Sequence, residues 1–191
     1  MLTLALCALL AAEPAVEPPK SADPHPVTTP VFLPRYAVVG FFVNQYAVAP
    51  NLKVGWEITL YDDVRNLLML IVELGPGFGV AFPQGVKQFW EHSATGGIGY
   101  RWGREKGFQW GFHLGVGAVL EGAIFDPPLP KGPREERVLG FVEGRLFGGW
   151  DLGPVILALT FGYGSPLWQA SSYPSTRWVG GFNIGVMVNW R

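Results

Sequence analysis

Chemistry in this chain has to come from few side chains, because 191 residues hold only 3 His and 1 Cys. The densest mixed stretch is FWEHSATGG, where Glu91, His92 and Ser93 are consecutive. An acid, an imidazole and a hydroxyl are the parts of an acyl-transfer site if the base reaches the hydroxyl. Adjacent residues on an extended strand point to opposite faces, so His92 and Ser93 share one site poorly. His113 is a separate candidate for the same role. Catalysis therefore stands as an alternative, with no residue assigned as catalytic. Metal binding lacks ligands at workable spacing, since there is no HExxH, no Cys pair and no Asp-rich loop. No cofactor is expected. The stretch GPGFGVAF (75–82) superficially resembles a phosphate loop. No helix follows to add its N-terminal dipole, and a strand end or a loop with a Pro kink is the expectation.

A second set of polar residues is more informative: Lys53, Glu57, Glu73, Arg101, His113, Glu121, Glu143 and Arg145. Each lies on the small or polar side of a segment with period two. In FQWGFHLGVGAVLEG, Phe108, Trp110, Phe112, Leu114, Val116, Ala118 and Leu120 form one side, while Gln109, Gly111, His113, Gly115, Gly117 and Glu121 form the other. That alternation defines a strand, and four Gly argue against a helix at about 1 kcal/mol each. The same reading places eight strands at about 36–48, 51–61, 66–75, 95–103, 107–125, 137–151, 154–163 and 178–190. The segment 66–75 is apolar on both sides and is open to a short helix, though its neighbours favour a strand.

Connections after strands two, four and six are short (YDDV, GREKG, DLGP), whereas those after strands three, five and seven are long and Pro-rich. The first, around VAPN, is short on the long side. Alternate connections of an up-and-down sheet lie at opposite ends, so one end carries tight turns and the other carries loops. Phe89, Trp90, Trp168 and Tyr173 are expected in those loops, where they pack on the rim or meet a partner.

Composition agrees with an unusual surface. Charged residues are 15% and apolar ones 49%, against about 25% charged in a typical soluble domain. No apolar run is long enough for a spanning helix. A net charge of −1 gives no footprint for nucleic acid. Residues 1–12 read as a signal peptide around Cys7, with no positive n-region, and 13–34 read as a Pro-rich linker. Residues 35–191 are then the barrel domain.

On strand pattern, loop asymmetry and final strand, residues 35–191 resemble the small eight-stranded outer-membrane barrels of the OmpA/OmpX type, with no subfamily motif. The implied fold class is all-β, an eight-stranded antiparallel up-and-down transmembrane β-barrel. The implied location is the bacterial outer membrane of a Gram-negative cell. The final strand of such families acts as a signal for the insertion machinery, which here maps onto Phe182, Ile184, Val186, Val188 and Trp190, with Arg191 as an extra residue. Tyr61, Trp102, Trp110, Trp150 and Trp190 on one side, and Tyr163 and Trp178 on the other, are candidates for interfacial aromatic girdles.

The expected partners are outer-membrane lipid and the insertion machinery, with the chain a monomer and any extracellular ligand unspecified. Its role is structural or surface-interacting, without an open pore, and the polar set plugs the lumen. A lipid hydrolase or acyltransferase and a soluble barrel binding an apolar ligand are the alternatives. On the membrane reading Val116→Arg is costly and Gly117→Ser is milder.

Overall fold

Alternation of burial, clearest along the first, third, seventh and eighth strands, organises the molecule. In the computed structural model, which describes residues 33–81, 85–103, 107–129, 132–168 and 178–190, eight strands follow one another. They are β1 (Tyr36–Val43), β2 (Ala47–Asp62), β3 (Asn66–Ala81), β4 (Val86–Trp102), β5 (Phe108–Leu129), β6 (Gly132–Asp151), β7 (Val155–Pro166) and β8 (Gly181–Trp190). The segment 66–75 is strand, not helix. The expected signal peptide, nearly all of the linker, Tyr173 and Arg191 lie outside the described residues.

Each strand pairs antiparallel with its neighbour in sequence, and β1 pairs with β8, so the sheet is a closed barrel. The closing ladder sets Tyr36 opposite Asn189 and Val43 opposite Phe182. It is extended by the Trp190 N–H, which donates to the Arg35 carbonyl at 3.0 Å. Closure leaves no sheet edge along this seam.

The strands run past their expected ends on the loop side. β3 to β6 hold 16, 17, 22 and 20 residues, against 8, 12 and 10 for β1, β7 and β8. Most of GPGFGVAF is therefore strand, and Phe89 and Trp90 lie in β4 rather than in a loop. VAPN is likewise inside β2, and the first turn is at 44–46. Prolines explain the difference. Pro50, Pro76, Pro127 and Pro128 all sit within strands. Pro50 and Pro76 each have a ladder partner on one side only, and Pro127 and Pro128 fall where β5 and β6 shift register, so the lost donors interrupt little of the pairing. The anticipated contrast in loop length is in large part a contrast in strand length, and the long connection that remains is 167–180.

The tight turns carry their own chemistry. Asn44 Oδ1 accepts from the Tyr46 and Ala47 N–H groups at 2.8 and 2.9 Å, an Asx turn. Asp63 accepts from the Arg65 and Asn66 N–H groups at 2.7 and 2.6 Å and from the Asn66 amide. Those donors, the Asn66 side chain foremost, hold the exposed Asp63 carboxyl down at about 2.

Candidate functional site

Glycine makes the interior possible. Large inward side chains of one strand lie flat over glycines of another. A Cβ on Gly55 would fall 2.0 Å from the Tyr36 ring, on Gly111 2.5 Å from the Phe147 ring, and on Gly164 2.5 Å from the Phe141 ring. Alternating large and small residues is how a barrel of eight strands fills its taper. Gly117 is as close as Gly55 but to backbone, since a Cβ there would lie 2.0 Å from the Ala94 carbonyl oxygen. Gly117→Ser therefore carries a backbone clash that the alternation of the sequence does not reveal.

Charges from β2, β3 and β6 meet across the lumen. Glu73 accepts from Tyr36 Oη at 2.6 Å and from Arg145 Nη2, and Lys53 Nζ pairs with Glu143. Lys53 is also 4.0 Å from Glu73, and its ammonium stands 5.1 Å from the centre of the Phe42 ring. His113 Nδ1 lies 3.6 Å from Glu73 and 3.3 Å from Arg145 Nη2. All of these groups are buried. Two cations and two carboxylates balance, as a low-dielectric site requires.

The other members of the predicted polar set form separate groups. Arg101 Nη2 donates to Glu57 Oε1 at 2.8 Å, and the Asn189 amide joins it at 2.8 Å. Glu121 pairs with Arg137 at 3.2 Å, and Arg137 with Glu135 at 3.3 Å. Sequence reasoning missed Tyr36 and Arg137. Arg137 has the same parity as Glu143 and Arg145 and was legible. Tyr36 was obscured by Phe41 and Phe42, adjacent aromatics of which Phe41 is exposed and Phe42 buried.

Above the ionic cluster, toward the loop side, apolar side chains pack around Glu91 and the Glu121–Arg137 pair. Phe42, Phe89, Val119, Ala123, Phe125, Leu139, Phe141, Trp178 and Val179 form one core. Trp178 was expected in an outer girdle but is 3% exposed. Its ring centre lies 5.9 Å from that of Phe89 and 6.0 Å from that of Phe125. Its segment turns inward because the Asn44 amide donates to the Trp178 and Gly180 carbonyls at 2.7 and 2.9 Å. The Gly180 N–H donates to Glu91 at 3.1 Å. Gly180 and Gly181 have φ of +72° and +113°, values that favour glycine.

The acyl-transfer candidates are not brought together. Along β4, Glu91 is buried within the lumen and Ser93 Oγ lies 3.5 Å from the Gly75 carbonyl. His92, between them in sequence, takes the other face, with its ring centre 5.2 Å from that of Phe78. His113 belongs to the ionic cluster. Among the described residues no group of three or more His, Cys, Asp or Glu is placed to hold a metal ion.

The outer surface is the reverse of the lumen. Exposed apolar side chains occur on all eight strands, among them Val39, Ile58, Val72, Ile98, Val116, Leu146, Leu159 and Ile184. At the turn end, Tyr61, Trp102, Trp110 and Trp150 are exposed, with Trp102 and Trp110 ring centres 6.0 Å apart. At the loop end, Tyr163 stands edge-on to Phe182 at 5.4 Å. Trp90 covers Gly122 and carries the Arg134 guanidinium 5.3 Å from its ring centre, and Trp168 covers Gly140. Along β8, Phe182, Ile184 and Val186 are exposed, while Val188 and Trp190 are half-buried.

These features define a class: a closed eight-stranded antiparallel barrel, apolar outside and charged within. No family model matches the chain, and no curated protein matches it. Two solved structures are similar. One is the outer membrane enzyme PagL, at 11% identity and a TM-score of 0.49, covering 82% of this chain and 97% of that one. The other is the Yersinia pestis outer membrane protein Ail in a phospholipid bilayer nanodisc, at 10% identity and a TM-score of 0.44, covering 83% of this chain and 99% of that one.

Proposed function

We propose that the chain is a monomeric transmembrane barrel of the bacterial outer membrane, with a structural or surface-interaction role and no open pore. The observation that carries this reading is the inverted surface. Apolar side chains face outward on every strand, while Lys53, Glu73, Arg101, His113, Glu121, Glu143 and Arg145 are buried inside. Water would penalise such an exterior over its whole girth. Lipid would not, and it offers no partners for backbone groups, which a closed sheet satisfies internally.

Tyr61, Trp102, Trp110 and Trp150 then mark one interface, with Trp190 at its edge. Tyr163, Trp90 and Trp168 mark the other. The cross-lumen ion pairs and the Trp178 cap argue against a diffusion path. A soluble barrel for an apolar ligand would need the opposite arrangement of faces. The His92–Ser93 pair weighed for a hydrolase or acyltransferase is split between the two faces of β4, which leaves that pair without support.

The full chain expressed in a Gram-negative host tests the reading. It should remain in membranes after carbonate extraction and migrate differently in heated and unheated detergent gels. Recovery in the soluble periplasmic fraction sinks it.

Under this reading Phe182, Ile184, Val186, Val188 and Trp190 form the stretch presented to the insertion machinery. Trp190→Asp should then lower the yield of heat-modifiable barrel in cells severalfold, yet still allow refolding from denaturant into detergent. Unchanged cellular yield would remove the signal role.

A further inference from the structure

A strand's width is missing from the loop-side rim. β7 pairs with β8 only as far as Gly164 and Gly181, and β1 pairs with β8 only as far as Val43 and Phe182. β7 runs on to Pro166 against β6. The chain that precedes β8 does not follow it. It turns into the lumen, where Trp178 and Val179 join the apolar core. A recess of about 660 Å³ is left between the end of β7 and the 44–46 turn, a size within the ~300–1,000 Å³ of small-molecule sites.

Its two lips differ in character. Val43, Tyr163 and Phe182 line the recess and are exposed on the outer wall. There Phe182 stacks on Phe161 at 6.1 Å between ring centres and meets Tyr163 edge-on. Gln45, Tyr46 and Ser165 bring an amide, a phenol and a hydroxyl. Asn44 holds the shape, since its side chain ties the 44–46 turn to the Trp178 and Gly180 carbonyls. Among the described residues that line the recess there is no Lys, Arg, His, Asp or Glu.

This chemistry narrows the occupant. A phosphate would meet no cation there, and charge-assisted contacts are what hold phosphates. An added strand would run along an edge where Pro166 offers no N–H. A bare hydrocarbon chain would make no use of the amide, phenol and hydroxyl. A sugar fits both lips. Its hydroxyls donate and accept, as do Gln, Tyr and Ser, and its C–H face packs against the negative face of an aromatic ring.

We propose that this recess binds the uncharged sugar headgroup of a membrane lipid, with the sugar at Gln45, Tyr46 and Ser165 and the acyl chains along Tyr163 and Phe182. A lipid-borne sugar is favoured over a free one because the aromatic lip is continuous with the apolar outer wall. The assignment rests on the membrane reading and adds a ligand class to it.

The test uses the full chain refolded into bicelles that hold monoglucosyl diacylglycerol and phosphatidylglycerol in equal amounts. Native mass spectrometry should find the glucosyl lipid retained on the barrel severalfold over the phospholipid. Ser165→Phe, which fills the recess, should abolish that preference. Gln45→Ala, on an exposed turn, should weaken it. Val72→Phe, on the outer face of β3, should leave it intact. Gel mobility before and after heating shows that each variant is folded. Excess methyl glucoside should not displace the retained lipid. Equal retention of the two lipids, a preference that survives both Ser165→Phe and Gln45→Ala, or displacement by methyl glucoside overturns the proposal. Carbonate extraction reports on the membrane reading separately, so failure here with extraction resistance intact removes the recess assignment alone.

Discussion

Val116→Arg is expected to destabilise the folded barrel by roughly 2–4 kcal/mol in lipid, whereas Val64→Arg should change it by no more than about 0.5 kcal/mol. The two sites match in residue type and are both open, at 56% and 72% exposed. They differ in place. Val116 lies midway along β5 on the outer face, in register with Gly96 of β4 and Val142 of β6. Val64 lies in the turn between β2 and β3. In water both positions would accept Arg, because the guanidinium would be solvated at either. In a bilayer the first must bring a charge into hydrocarbon or drag water to it. Urea unfolding from phospholipid vesicles measures both. Equal small losses would mean that the outer face of β5 meets water, and the membrane reading would fail.

Glu73→Ala should cost about 3–5 kcal/mol, because it strands a buried guanidinium. Glu73 serves Arg145, Tyr36, Lys53 and His113 together, so its removal unmakes contacts to four other strands. Combining Glu73→Ala with Arg145→Met should cost less than the sum of the single losses, by a coupling of about 1–3 kcal/mol. Lys53 retains Glu143 in both backgrounds, so the cycle isolates one cross-lumen pair. Strict additivity would show that the two groups do not depend on each other.

Parity is what the sequence made legible. Lys53, Glu73, Arg101, Glu121, Glu143 and Arg145 alternate with bulky apolar residues, and period two assigns them to one face without any tertiary knowledge. Which of them meet was not legible. Lys53 and Glu143 are 90 residues apart, and their contact depends on the diameter and shear of the closed sheet rather than on spacing along a strand. Trp178 shows a different limit. Near a strand end an aromatic is compatible with an interface or with a cap, and only the Asn44 and Glu91 contacts to its segment decide. Strand ends failed for a third reason. Pro50 and Pro76 read as breakers, but each keeps a ladder partner on one side, and local propensity carries no information about that support.

The closing seam has a consequence for timing. Seven ladders join strands that are consecutive in the chain, and six of them are linked by short connections. The eighth joins residues 36–43 to 182–189 and must wait for the ends of the cylinder to meet. An open sheet in which that ladder has not formed has β1 and β8 as two unsatisfied borders, each a template for another chain. Non-local pairing of this kind is slow, because order is imposed before contacts repay it. The lifetime of that open sheet, more than the strength of any single hairpin, sets how long the chain is exposed to misassembly.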